Sequence, residues 1–205
     1  MSNQRYKSIL TEYSKIDPID ESSEEGVDYI NVSKYSKTEL GRALAPGAKA
    51  NFDTIIGRIG NIRSAMDYVA TPNYPIKLLS KSRLNAKDIK KIPKKRISLP
   101  NYWSIITYIL AERIKSEPDL IKMLKENEAE FTCFSSKGKA NLFGKEVFIT
   151  QPNNSMGRYI AIIRCISKLI KNDEFTDAKI YQLINSAKDC PEKLIFEGST
   201  VNVKM

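Results

Sequence analysis

Histidine is absent from the whole chain, and that absence limits the chemistry open to it. A Ser-His-Asp or Cys-His nucleophile and a His-containing zinc site are excluded. Cys133, Cys165 and Cys190 lie far apart and form no CxxC pair. Any reaction must therefore run on carboxylates, lysines, tyrosines or backbone dipoles. The GxxxxGK[ST] phosphate loop is missing as well. Three segments nevertheless carry residues suited to anions. In 76–98, Lys77, Lys81, Arg83, Lys87, Lys90, Lys91, Lys94, Lys95 and Arg96 stand against Asp88 alone. Cations so concentrated neutralise phosphates and release counterions, and Tyr74, Tyr102 and Trp103 flank them as candidate platforms for unpaired bases. A solvated, lysine-rich insertion without a partner is the alternative. Trp103, at helical spacing, is expected in the core. The second segment, Asn154-Ser155-Met156-Gly157-Arg158, opens a helix. Free N–H groups, the helix dipole, Gly157 for close approach and Arg158 beside it would together hold an anion. An ordinary Ser155 N-cap explains the same residues. The third is a polar loop in which Lys37, Gly41 and Arg42 could hold a phosphate and Glu39 could act as acid or base.

These segments need a scaffold, and the composition supplies one. The chain has 205 residues, 41% of them hydrophobic and 28% charged, with a net charge of +9. That is enough for one sizeable core, and the basic balance favours polyanionic partners, nucleic acid first. No apolar run reaches the length of a membrane span. The polar start Met1-Ser2-Asn3-Gln4-Arg5 lacks a signal core, and three scattered cysteines fit buried thiols in a reducing compartment. The expectation is a cytoplasmic protein with no membrane partner, no metal and no cofactor, its oligomeric state left open.

Residues 1–26 read as a flexible N-terminal arm, within which residues 4–15 carry a short apolar stripe; residues 27–205 read as one domain with a basic insertion at 76–98. Strands are expected at Val27–Val32, Phe52–Ile59, Glu130–Phe134 and Glu146–Thr150, with a closing strand or hairpin around Leu194–Phe196 and Thr200–Val203. Asn61 is placed to cap a helix through Val69, and Pro72 and Pro75 stop it. Further helices are expected at Asn85–Ile92, from Asn101 through Ile114, from Pro118, over Met156–Lys171 and over Thr176–Ala187. The fold class is α+β, a single domain with a small mixed sheet covered by several helices.

The same segments, in order, resemble the NADAR superfamily. Leu40-Gly41-Arg42-Ala43-Leu44-Ala45-Pro46 stands where the family has its early Leu-Gly stretch. Gly60-Asn61-Ile62-Arg63-Ser64-Ala65-Met66-Asp67-Tyr68 is similar to its next glycine and helix. Tyr102–Lys115 and Glu117–Leu124 match its middle helices. Asn154-Ser155-Met156-Gly157-Arg158-Tyr159 through Arg164 matches its closing Asn-x-Leu-Gly-Arg helix best. The resemblance covers about residues 30–170. It implies a NADAR-like fold, an ADP-ribose-type ligand and cleavage of the N-glycosidic bond between ADP-ribose and a nucleobase in DNA, in a setting of phage or bacterial defence. In such a protein Lys37, Gly41, Arg42, Asn154, Gly157 and Arg158 would bind the ligand, Lys37, Arg42 and Arg158 holding its diphosphate, and Arg42 and Arg158 would share one cleft. The family's helix glutamate falls on Arg63 or Met66 according to register, and its Ser-Asn pair is replaced by Ala45-Pro46. The catalytic carboxylate would then be Asp67 or Glu39, with Asp53 third, and the 77–96 cations would grip the nucleic acid. Two alternatives remain. One is a non-catalytic nucleotide- or nucleic-acid-binding protein on the same scaffold. The other is an interaction protein whose basic segment meets an acidic partner.

Overall fold

A computed structural model describes residues 16, 23–97, 99, 101–142 and 145–188. The apolar stripe of residues 4–15 and the expected closing strand after Leu194 lie outside the described residues, as does Cys190. One hydrophobic cluster runs from Ile16 to Ala187. Ile16 is buried within it, so the stretch read as a flexible arm contributes a core residue.

The chain enters through β1 (Tyr29–Asn31) and a short α1 (Glu39–Leu44). Thr38 caps α1 by accepting from the Gly41 N–H. The apolar stretch expected as one strand is instead a hairpin, β2 (Phe52–Thr54) and β3 (Gly57–Ile59), paired antiparallel. Gly57, at φ 114°, supplies the left-handed backbone that this turn requires. Next come α2 (Ile62–Ala70), a 3₁₀ turn at Ile76–Leu78 and the six-residue α3 (Ala86–Lys91). The helical half follows with α4 (Tyr102–Ser116) and α5 (Pro118–Glu126), where Pro118 occupies the first turn and needs no amide partner. β4 (Glu130–Thr132) pairs parallel with β1, bringing together segments about a hundred residues apart. The antiparallel hairpin β5 (Phe134–Leu142) and β6 (Lys145–Pro152) leads to α6 (Gly157–Lys171) and α7 (Asp177–Lys188). The fold is thus mixed α/β in one domain, but among the described residues its strands form three separate two-stranded pairings, not one sheet.

α4 and α6 make the centre. Ile106, Ile109, Leu110 and Ile114 on α4 and Ile160, Ile162, Ile163 and Ile166 on α6 are fully buried, each stabilising the fold by about 2 kcal/mol on transfer from water. Both helices also hold the end of α1. The Arg113 guanidinium, 1% exposed, donates to the Ala43 carbonyl at 2.6 Å and to Glu117 at 3.1 Å. Tyr159 donates to the Leu44 carbonyl at 2.9 Å, and its burial raises the phenol's pKa. Two carbonyls that a helix end leaves unpaired are thereby satisfied. Among the described residues no helix is long and apolar enough to cross a membrane.

Candidate nucleic-acid interface

The basic segment is fastened to α2 at both ends. At its start, Gly60 packs against the chain at Lys81 and Ser82. A Cβ there would lie 2.2 Å from the Lys81 carbonyl carbon and 2.5 Å from the Ser82 nitrogen, so only glycine permits the approach. The Gly60 N–H donates to the Leu79 carbonyl at 2.9 Å. Asn61 then does two jobs. Its Oδ1 accepts from the Ser64 N–H at 2.7 Å, capping α2, while Nδ2 donates to the carbonyls of Lys81 at 2.9 Å and Ser82 at 3.3 Å. At the far end the Ile97 N–H donates to the Ala70 carbonyl at 2.8 Å, and Arg96 forms an ion pair with Asp67 on α2.

Between these ends α3 folds by local rules. Asn85 accepts from the Asp88 N–H at 2.9 Å and Asp88 accepts from the Asn85 N–H at 3.2 Å, a reciprocal capping box. Asp88 is buried and accepts from the Lys81 ammonium at 2.8 and 2.9 Å through its two oxygens. That hydrogen bond, aided by the Asn85 N–H, lowers the pKa of the Asp88 carboxyl. Two cations expected on nucleic acid are therefore engaged within the protein, Lys81 by Asp88 and Arg96 by Asp67. Lys77, Arg83, Lys87, Lys90, Lys91, Lys94 and Lys95 are exposed, and among the described residues none of them forms a direct ion pair, Lys91 attracting Asp88 only from a distance.

The strapped segment and α2 enclose a cleft of about 800 Å³. Arg63, Arg83, Lys90, Lys94 and Arg96 line it together with Asp67, and Leu84, Ile89, Ile92 and Pro93 supply apolar wall. Arg63 also lies 3.7 Å from Asp67, one helical turn away. As a cleft residue Arg63 was not anticipated from sequence; its i, i+4 spacing to Asp67 was the available signal. Ser64 and Thr71 line the same wall, with hydroxyls shielded from solvent. An apolar groove of about 530 Å³ adjoins at Thr71, and a third cleft of about 570 Å³ lies between α6 and α7.

The other expected site residues do other work. The Arg42 guanidinium donates to the carbonyls of Ser36 at 2.9 Å and Lys37 at 2.8 Å, fixing the loop that precedes its own helix. Gly41 is a packing glycine, because a Cβ there would meet the Ser36 Oγ at 2.2 Å and the Asn31 carbonyl oxygen at 2.5 Å. The exposed Lys37 gives its backbone N–H to Glu25 at 3.0 Å. Glu39 is exposed in the first turn of α1, and Asp53 is exposed opposite Arg58 in the hairpin. The start of α6 also departs from expectation. Asn154 lies in a 3₁₀ turn, Met156 precedes the helix without a side-chain cap, and the Ser155 hydroxyl bonds Asn153 at 2.6 Å. Gly157 is buried, and Arg158 is 6% exposed with its guanidinium 5.9 Å from the Trp103 ring centre. Neither Arg42 nor Arg158 lines any of the three clefts.

Two of the flanking aromatics are core residues and not base platforms, and Tyr102 is half-buried against that core. Trp103 and Tyr74 are buried, Tyr74 packing edge-on to Tyr68 at 5.9 Å and Trp103 to Tyr102 at 5.0 Å. Burial pushes the Tyr102 phenol up to about 12. It likewise pushes the buried Cys133 thiol and the half-buried Cys165 thiol up to about 11. Among the described residues no group of three or more side chains could hold a metal ion. No family model, curated protein or solved structure matches this chain.

Proposed function

We propose that this chain binds nucleic acid, with the phosphates held in the cleft between α2 and the 82–96 segment. One observation carries the reading. Once the internal ion pairs are set aside, the uncommitted cations Arg83, Lys90 and Lys94 still converge with Arg63 and Arg96 on one concave surface. Scattered lysines on a solvated face would not converge. The three uncommitted cations meeting phosphates give a salt slope of about −2.7 on duplex DNA or about −2.1 on a single strand, Arg63 and Arg96 being held by Asp67. The test is oligonucleotide binding by fluorescence anisotropy at salt between about 50 and 200 mM. Charge reversal of Lys90 and Lys94 to Glu should flatten the slope by about two. An unchanged slope would refute the reading.

A second reading is the NADAR-like N-glycosidase that removes ADP-ribose from a modified base. It is favoured by the position of Asp67 in this same cleft, its side chain 14% exposed. A glycosidic bond breaks with positive charge developing on the ribose, and a half-buried carboxylate opposes that charge strongly. Asp67 would first have to release Arg63 or Arg96, which engage its two oxygens. The diphosphate would fall to the cleft cations, because Arg42 and Arg158 lie outside it. Incubation with ADP-ribosylated DNA separates the readings. Released ADP-ribose supports the glycosidase, whereas binding without release leaves the nucleic-acid-binding protein.

A further inference from the structure

The cleft is not lined by cations alone. Ile89, in the middle of the basic segment, is 59% exposed, and with Leu84, Ile92 and Pro93 it forms an apolar wall facing Arg63 and Asp67 across the opening. Phosphate oxygens gain nothing from such a wall, and an isoleucine held in water forgoes the stabilisation of burial. A duplex turns its phosphates outward and keeps its base faces stacked inside, so against a concave site of about 800 Å³ it would touch the cationic rim and leave the wall wet. An unpaired strand differs in both respects. It is thin enough to lie within the cleft, and its bases present flat apolar faces beside the phosphates.

We infer that the cleft takes an unpaired strand in preference to a duplex, with phosphates on Arg83, Lys90 and Lys94 and base faces against Ile89 and Ile92. The inference rests on the phosphate-binding reading above and names its ligand class. Tyr74 and Trp103 are buried, and the half-buried Tyr102 does not line the cleft, so the contact is aliphatic and its sequence preference is weak.

The test compares a labelled single strand of about twelve nucleotides with its blunt duplex by anisotropy, at salt of roughly 0.1 M. The single strand should bind at least about tenfold more tightly. Ile89→Ser, at an exposed position that the fold does not need, should weaken the single strand by about fivefold and leave its salt slope and the duplex affinity unchanged. Equal or tighter duplex binding overturns the inference, and so does strand preference indifferent to Ile89→Ser. In both cases salt-dependent binding persists and the phosphate-binding reading stands. Salt-independent or absent binding of both oligonucleotides refutes that reading and this inference with it.

Discussion

Asn61 is where the capping of α2 and the fastening of the basic segment meet, so its truncation has a calculable cost. In Asn61→Ala the Ser64 N–H loses its acceptor, and loss of an N-cap costs about 1 kcal/mol. The Lys81 and Ser82 carbonyls lose their donor as well, at about 1 kcal/mol each, the longer bond to Ser82 contributing less. The total is about 2–3 kcal/mol, against an overall stability of about 5–15 kcal/mol. Asn61→Ser divides the sum. A serine caps nearly as well as asparagine but is too short to donate to the 81–82 carbonyls. It should therefore recover about 1 kcal/mol of the loss and leave the fastening broken. Urea unfolding of the three proteins, read from midpoints at constant slope, gives the comparison. Asn61→Ala within about 0.5 kcal/mol of the wild type would refute the argument. Wild-type stability in Asn61→Ser would show that the bonds to Lys81 and Ser82 contribute nothing.

Asp67→Asn leaves Arg63 and Arg96 without their internal carboxylate. Oligonucleotide affinity should rise about twofold to fivefold by anisotropy, a range set by the modest worth of exposed ion pairs. On the glycosidase reading the same change should slow release of ADP-ribose at least about a hundredfold, whereas Glu39→Gln, outside the cleft, should not. The lowered pKa of Asp88 makes its pair with Lys81 a pH-dependent support. It is fully present above the ordinary carboxylate range, near about 4, and is lost as pH falls through the lowered folded value. Lys81→Met should flatten the fall of the urea midpoint over that acid range, and an unchanged profile would count against the pair. With Cys133 and Cys165 raised to about 11, only about a thousandth of either thiol is ionised near about pH 8. In a Cys190→Ser variant, a disulfide reagent should label them far faster in urea than in the native state, and fast native labelling would contradict their suppressed ionisation.

Local chemistry made much of this protein legible in its sequence. Asn61 sits just before an apolar-periodic run, so the cap of α2 could be read directly, as could Pro118 in the first turn of α5. Burial of Trp103, the α4 stripe and Cys133 follows from spacing and residue type. The concentration of charge at 76–98 is a property of the chain alone. The tertiary structure decided what depends on distant partners. Phe52–Ile59 mixes Phe and Ile with Asp53, Thr54 and Arg58, and only the fold shows that the chain turns before Gly57 to make a hairpin. β4 finds β1 about a hundred residues earlier, a pairing that hydrophobic pattern cannot specify. The arginines show the limit most clearly. A guanidinium carries the same five donors whether it meets a phosphate or a carbonyl, so type and spacing could not separate Arg42, spent on its own loop, from Arg83, open to the cleft. Only the fold decides which cations are engaged. Lys81 and Arg96 are withdrawn by Asp88 and Asp67, Arg158 is buried beside Trp103, and Arg63 is brought to the cleft by the helix that Asn61 caps.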